Sequence, residues 1–191
     1  GFPTGLVDGR TYIANYAIPV TTSLIVEAVI ETESKYETVT AASWTSKVSG
    51  SQVTLDLSAY IKKAGSYKIT ALLVEDKVIS YQADYNNGAS DAYEHNGIIR
   101  AALSNVLGEN VEVAEDAQVK TFTYSAELPS ECNKDNVRVV VYIQRKDSDN
   151  SYYVDNTASA AVGKDKNLDM SSGSWSDGNE GIVPGDDISI K

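Results

Sequence analysis

The sequence predicts an all-β protein: an immunoglobulin-like antiparallel β-sandwich of about eight to ten strands, followed by an irregular C-terminal tail. Runs rich in Val, Ile, Thr and Tyr recur at short intervals, and clusters of Gly, Asn, Asp, Ser and Pro separate them. Within the runs apolar and polar residues alternate, as they do on strands with one face buried. Sustained helical periodicity is scarce, which argues against a parallel α/β sheet with its intervening helices. A jelly roll or a small closed barrel is the alternative that the same strand count can build.

Residues 23–31 place Leu24, Val26, Ala28 and Ile30 on one face and Ile25, Glu27, Val29 and Glu31 on the other, the pattern of a half-buried strand. Residues 38–43 continue into Trp44, which the strand pattern makes a core residue rather than a sugar platform. After a Ser-Gly-Ser turn at residues 49–51, Val53, Leu55 and Leu57 repeat the alternation. Residues 67–74 and 78–82 flank Glu75, Asp76 and Lys77, a short polar connection that predicts a tight hairpin between them. Residues 98–106, 111–113, 119–126 and 137–144 supply further strands, and residues 152–162 the last. Residues 58–63 before Gly65 and 101–107 before Gly108 have the length and terminal glycine of helical turns.

From Gly163 the composition shifts to Gly, Ser, Asp and Asn, with too few closely spaced apolar residues for a separate core. The expected division is a sandwich over residues 1–162 and a polar tail or wrap over 163–191, pinned by Trp175, Ile182, Val183, Ile188 and Ile190.

A chain of 191 residues, 42% of them hydrophobic, is long enough for one sizeable core. Sixteen Lys and Arg against 27 Asp and Glu leave a net charge of -11, spread along the chain as a solvated surface. That balance repels phosphate backbones and anionic membranes, so no nucleic-acid partner is expected. No apolar run approaches the roughly 18 to 20 residues of a spanning helix. Strands of about ten residues with aromatic flanks are too few to close a transmembrane barrel. No signal peptide follows Gly1, and any export signal is expected upstream of it.

Candidate sites are few. Cys132 is the single cysteine, so intrachain disulfides are excluded, and as a nucleophile it would need a histidine or cation that the sequence does not place beside it. His95 is the single histidine, with Glu94, Asn96 and Arg100 nearby. Adjacent residues on an extended chain point apart, so the expectation is a histidine bonded to backbone at a strand mouth, with Arg100 bridging to a carboxylate. Residues 84–96 read as a long loop flanked and filled by Tyr81, Tyr85 and Tyr93, a plausible recognition surface at one end of a sandwich. Carboxylates at Asp147, Asp149 and Asp155, and at Asp177, Glu180, Asp186 and Asp187, offer oxygen ligands of the kind calcium takes, but without EF-hand spacing. There is no G-x-S-x-G, H-E-x-x-H, phosphate-binding loop or dinucleotide fingerprint.

The run Leu-Leu-Val-Glu-Asp-Lys-Val at residues 72–78, then Gln82, Tyr93-Glu94-His95-Asn96, Ile98, Ile99 and Arg100, with Gly108 soon after, resembles the outer membrane protein 28 related family of Bacteroidetes. The likeness is clearest over residues 67–108 and looser over 14–162. It implies an exported protein of the outer membrane or cell surface, typically a lipoprotein. Members often carry a thioredoxin-like module before the sandwich; this sequence has no C-x-x-C, so it resembles the C-terminal module or a shorter relative. The match at His95 implies no catalysis.

The combined expectation is a non-enzymatic interaction or adhesion module of the cell envelope, surface-exposed or periplasmic. It would bind a protein or glycan partner through Tyr81, Tyr85, Tyr93, His95 and Arg100, with no catalytic residue, no metal and no cofactor. Membrane contact would come only through a lipid anchor outside this chain. The alternatives are a carbohydrate-binding or carbohydrate-active domain, whose carboxylates would converge only in space, a structural spacer, and the accessory domain of a thioredoxin-like envelope protein.

Overall fold

A computed structural model describes residues 4–6, 8–10, 18–19, 29–32, 35–84 and 88–167. Two short strands, β1 (Thr4–Gly5) and β2 (Ile18–Pro19), pair with each other. The sandwich and its appendage are built from β3 (Thr40–Ser49), β4 (Gln52–Ile61), β5 (Gly65–Glu75), β6 (Val78–Asp84), β7 (Gly88–His95), β8 (Ile98–Ala102), β9 (Glu109–Val113), β10 (Gln118–Glu127), β11 (Val137–Lys146) and β12 (Tyr152–Ala161). Every pairing among the described residues is antiparallel, and the two main sheets stay separate rather than closing into a barrel.

The first sheet runs β10-β4-β3. Its hairpin closes at Ser49 opposite Gln52, where Gly50 takes a φ of 63° that side-chain-bearing residues rarely adopt. The second sheet runs β12-β11-β5, with β8 and β9 sharing the free edge of β5 end to end. Alternation turns Val53, Leu55, Leu57 and Ile61 of β4 toward Tyr67, Ile69 and Leu73 of β5 and toward Val137, Val139, Val141 and Ile143 of β11, and all are fully buried. Each buried aliphatic side chain contributes about 1.5 to 3 kcal/mol relative to exposure, so this layer holds the fold together. Trp44 belongs to the same core, as the strand pattern predicts.

One margin of the sandwich is stitched by polar contacts. The segment after β12 returns to β3, with Trp44 and Lys166 exchanging backbone hydrogen bonds of 2.9 Å. Asp155 on β12 accepts from Val39 N (3.0 Å) and Thr40 Oγ1 (2.6 Å).

Several local expectations change. Residues 67–74 and 78–82 do not form a hairpin: β5 pairs with β11, β8 and β9, while β6 pairs with β7. The chain turns through Asp76 and Lys77, with Lys77 at φ 58°, because the apolar stripe of β5 is already committed to the core. Residues 58–61 complete β4 instead of starting a helical turn, since Ala59 and Ile61 extend the inward stripe of Leu57. Residues 101–102 end β8, and a turn through residues 103–108 carries the chain to β9. Residues 29–32 are helical where alternation predicted a strand; the preceding part of that segment lies outside the described residues. So do residues 168–191 of the expected tail, with Trp175, Asp177, Glu180, Ile182, Val183, Asp186, Asp187, Ile188 and Ile190.

Candidate functional site: a projecting ribbon and its polar root

Strands β6 and β7 form a two-stranded ribbon that prolongs the β5/β8 pair beyond the sandwich. What was expected as a loop over residues 84–96 is therefore mostly strand: β7 is exposed at every position from Gly88 to Glu94 and pairs with β6 from Asp84↔Gly88 to Val78↔His95. The sequence hid this, because a ribbon exposed on both faces has no apolar stripe to reveal its period. Tyr85 lies outside the described residues.

The register sorts the ribbon into two faces. Ser80 faces Tyr93 and Val78 faces His95 on one side, where the Tyr93 and His95 rings meet edge-on at 4.9 Å. On the other, Ile79 faces Glu94 and Ala83 faces Ala89, with Tyr81 between them, opposite a bulge formed by Asp91 and Ala92. Ile79, Tyr81 and Tyr93 are 60%, 59% and 49% exposed. Large apolar side chains thus face water on both sides of the ribbon.

The ribbon's base is clamped by a polar root. Glu75 ends β5 on its inward stripe, buried, and accepts from Arg100 Nε (2.7 Å) on β8 and from Asn133 N (2.8 Å) in the loop before β11. Asp76 accepts from Gly97 N (2.7 Å) and Arg138 Nε (2.8 Å), and Lys77 N donates to Asn96 Oδ1 (2.8 Å). Both legs of the ribbon are therefore cross-linked where they leave the sheet.

Electrostatics at the root favour charged carboxylates. Burial pushes Glu75 up, but the Asn133 amide, the Arg100 guanidinium and the Cys132 thiol together outweigh it and hold the carboxyl below its usual range. Arg138 and the Gly97 amide hold Asp76 down as well. Burial and the Glu75 charge raise the Cys132 thiol, the opposite of what an activated nucleophile needs.

Of the sequence-predicted residues, Tyr81 sits on one face of the ribbon and Tyr93 and His95 on the other, and Arg100 sits at its root on a carboxylate, as expected. His95 departs from expectation in one respect: its Nε2 is enclosed and has no hydrogen-bond partner among the described residues. Asp147, Asp149 and Asp155 do not converge. Asp147 pairs with Arg10, Asp149 accepts from Tyr153, and Asp155 takes the β3 contacts. Among the described residues no three His, Cys, Asp or Glu side chains gather in a way that could hold a metal ion. The root itself was missed in the sequence, although one signal was present: Glu75 falls in register with the inward stripe Tyr67, Ile69, Ala71 and Leu73, where a carboxylate requires a partner.

The family model for the outer membrane protein Omp28 matches residues 1–166, bearing out the resemblance read at residues 67–108. Among solved structures, HBP35 of Porphyromonas gingivalis superimposes with a TM-score of 0.65 at 13% identity, over 100% of this chain and 64% of that one. The chain therefore spans less than two thirds of that protein, and at this identity the likeness is one of fold. A domain of the outer membrane lipoprotein Omp28 from Porphyromonas gingivalis aligns with a TM-score of 0.46 at 13% identity, covering 68% of this chain and 97% of that domain. No curated protein matches in sequence. No helix among the described residues is long and apolar enough to cross a membrane.

Proposed function

Because this chain belongs to the Omp28 family of outer membrane proteins, we propose that it serves the cell envelope as a non-enzymatic interaction module that grips a protein or glycan partner with the β6/β7 ribbon. The observation that carries this reading is the exposure of Ile79, Tyr81 and Tyr93 on a ribbon clamped at its base. A two-stranded ribbon with no sheet behind it is marginal in water, and apolar side chains exposed on it are stabilised when a partner covers them. Tyrosines suit that task, since they bring a large contact area with few rotatable bonds. The raised Cys132 thiol and the Tyr93 ring beside His95, in place of a carboxylate, support binding rather than catalysis. The module would stand on the cell surface or in the periplasm, tethered by a lipid anchor outside this chain.

The test uses the full-length protein in its own envelope, with a photo-crosslinking residue at position 81 or 93 and, as a control, at exposed Lys47 on β3. A discrete adduct from the ribbon positions and none from position 47 is expected, and its mass separates protein from glycan. Equal labelling at all three positions removes the ribbon from the reading. Tyr81→Ala and Tyr93→Ala should abolish the adducts of the other ribbon position while leaving the thermal midpoint nearly unchanged.

A further inference from the structure

We infer that the partner is a basic polypeptide segment in extended conformation, which adds to the free edge of β6 as a third strand; this rests on the ribbon being the binding site. Four observations converge. First, β6 and β7 pair only with each other among the described residues, so a row of backbone donors and acceptors faces outward along each strand. Second, residues 78–95 contain neither Lys nor Pro, the residues that blunt exposed edges elsewhere. The bulge at Asp91 and Ala92 interrupts β7 but leaves β6 continuous, which selects the β6 edge.

Third, the exposed side chains lie on both faces, Ile79 and Tyr81 on one and Tyr93 on the other. A partner resting on a single face would leave half of them in water. A strand added beside β6 sends alternate side chains to both faces: one set lies against Ile79 and Tyr81, and long side chains of the other reach across the small Ser80 toward Tyr93. Fourth, the sequence of residues 78–95 carries three carboxylates and no Lys or Arg, and Asp91 and Glu94 stand exposed on the ribbon. Of the cations at its base, Arg100 and Arg138 are bound to Glu75 and Asp76, and Lys77 stands beside Asp76 at the near end of the ribbon. Along its length the ribbon therefore presents a net negative charge, from Asp91 and Glu94 among the described side chains, and Lys or Arg side chains on the added strand complement it. A second copy of this chain, equally acidic at the ribbon, would meet repulsion there.

The probes are three short synthetic peptides: one alternating Val and Thr with Lys, the same with Glu in place of Lys, and the Lys peptide N-methylated on alternate amides along one edge. Binding is followed by fluorescence anisotropy and by amide shifts of the labelled protein. The Lys peptide should bind saturably and more weakly as salt rises, shifting amides of residues 79–83. The Glu peptide should not bind. N-methylation keeps the charge but removes the edge hydrogen bonds, and should weaken binding about tenfold or more. Asp91→Asn with Glu94→Gln should weaken the Lys peptide several-fold without altering the fold.

Equal binding of the N-methylated peptide would overturn strand addition and leave charge alone. Shifts confined to residues 88–95 would overturn the choice of β6, and ribbon-mediated self-association without peptide would make a second copy the occupant. If no peptide binds while crosslinks from positions 81 and 93 persist, strand addition fails and the ribbon stands as the binding site. If the crosslinks are absent too, both readings fail.

Discussion

Replacing Glu75 with Ala should destabilise the protein by about 3 kcal/mol, chiefly because the Arg100 guanidinium and the Asn133 amide lose their acceptor. The Arg100 guanidinium donates a charge-assisted bond at 2.7 Å, and such bonds contribute roughly 1.5 to 3 kcal/mol. Asn133 N is left without its acceptor at 2.8 Å, at a cost of about 1 to 3 kcal/mol. The sum is trimmed because the Arg100 side chain is 21% exposed and can partly rehydrate. For a chain of this length the loss corresponds to a fall of roughly 6 to 12 °C in the thermal midpoint. Urea denaturation of wild type, Glu75→Ala, Arg100→Ala and the double variant should give a coupling of about 1 to 2 kcal/mol. Glu75→Gln adds a pH signature. The folded carboxyl lies below its usual range, so the stability it contributes is present above the unfolded value and is lost as pH falls through the folded one. The gap between wild type and Glu75→Gln should therefore be full at neutral pH and close in acid. A loss below about 1 kcal/mol for Glu75→Ala, or a gap that does not change with pH, would refute the account of the root.

Asp155 titrates in the opposite sense. Burial raises it, and the bonds from Thr40 and Val39 only partly offset that, so its contribution is present in acid and lost as pH rises through the folded value. Asp155→Asn keeps an acceptor oxygen for both donors and should raise the midpoint at pH 7 but not in acid, as scanning calorimetry at the two pH values will show. Gly108→Ala should cost about 2 to 4 kcal/mol in urea, since φ is +82° and the new Cβ would lie 3.0 Å from both Lys68 Cβ and Thr70 Oγ1. Leu55→Ala, at a fully buried position facing β5 and β11, should cost about 2 to 5 kcal/mol by the same measurement.

Much of the sandwich was legible residue by residue. Val53, Leu55 and Leu57 alternate because one side of β4 meets the core, and the same rule located β10, β11 and β12. Arg100 was correctly expected on a carboxylate, since a charged residue near buried strands needs a counter-charge. The ribbon was half legible: residues 78–82 were expected as a strand and the tyrosines and His95 were singled out as candidate site residues, but β7 was read as loop because both its faces are wet, and the turn at Asp76 and Lys77 resembles an ordinary hairpin connection. The helical turns expected at residues 58–63 and 101–107 failed for a related reason. A glycine after a short apolar run marks the end of a strand as readily as the end of a helix.

Periodicity is a local property, written into side chains two residues apart, so the linear chain was enough to establish an all-β protein and, for most strands of the sandwich, the face each one buries. Pairing is not local. Every strand offers the same backbone donors and acceptors, and β5 takes β11 rather than β6 because Val137, Val139, Val141 and Ile143 complete a buried layer that Ile79 and Tyr81 do not join. The root follows from that choice: Glu75 meets Arg100 and Asn133, residues 25 and 58 positions away, only after β5, β8 and β11 have aligned. Folding of the core thus left β6 and β7 to each other and placed their edges, unpaired among the described residues, outside the sandwich.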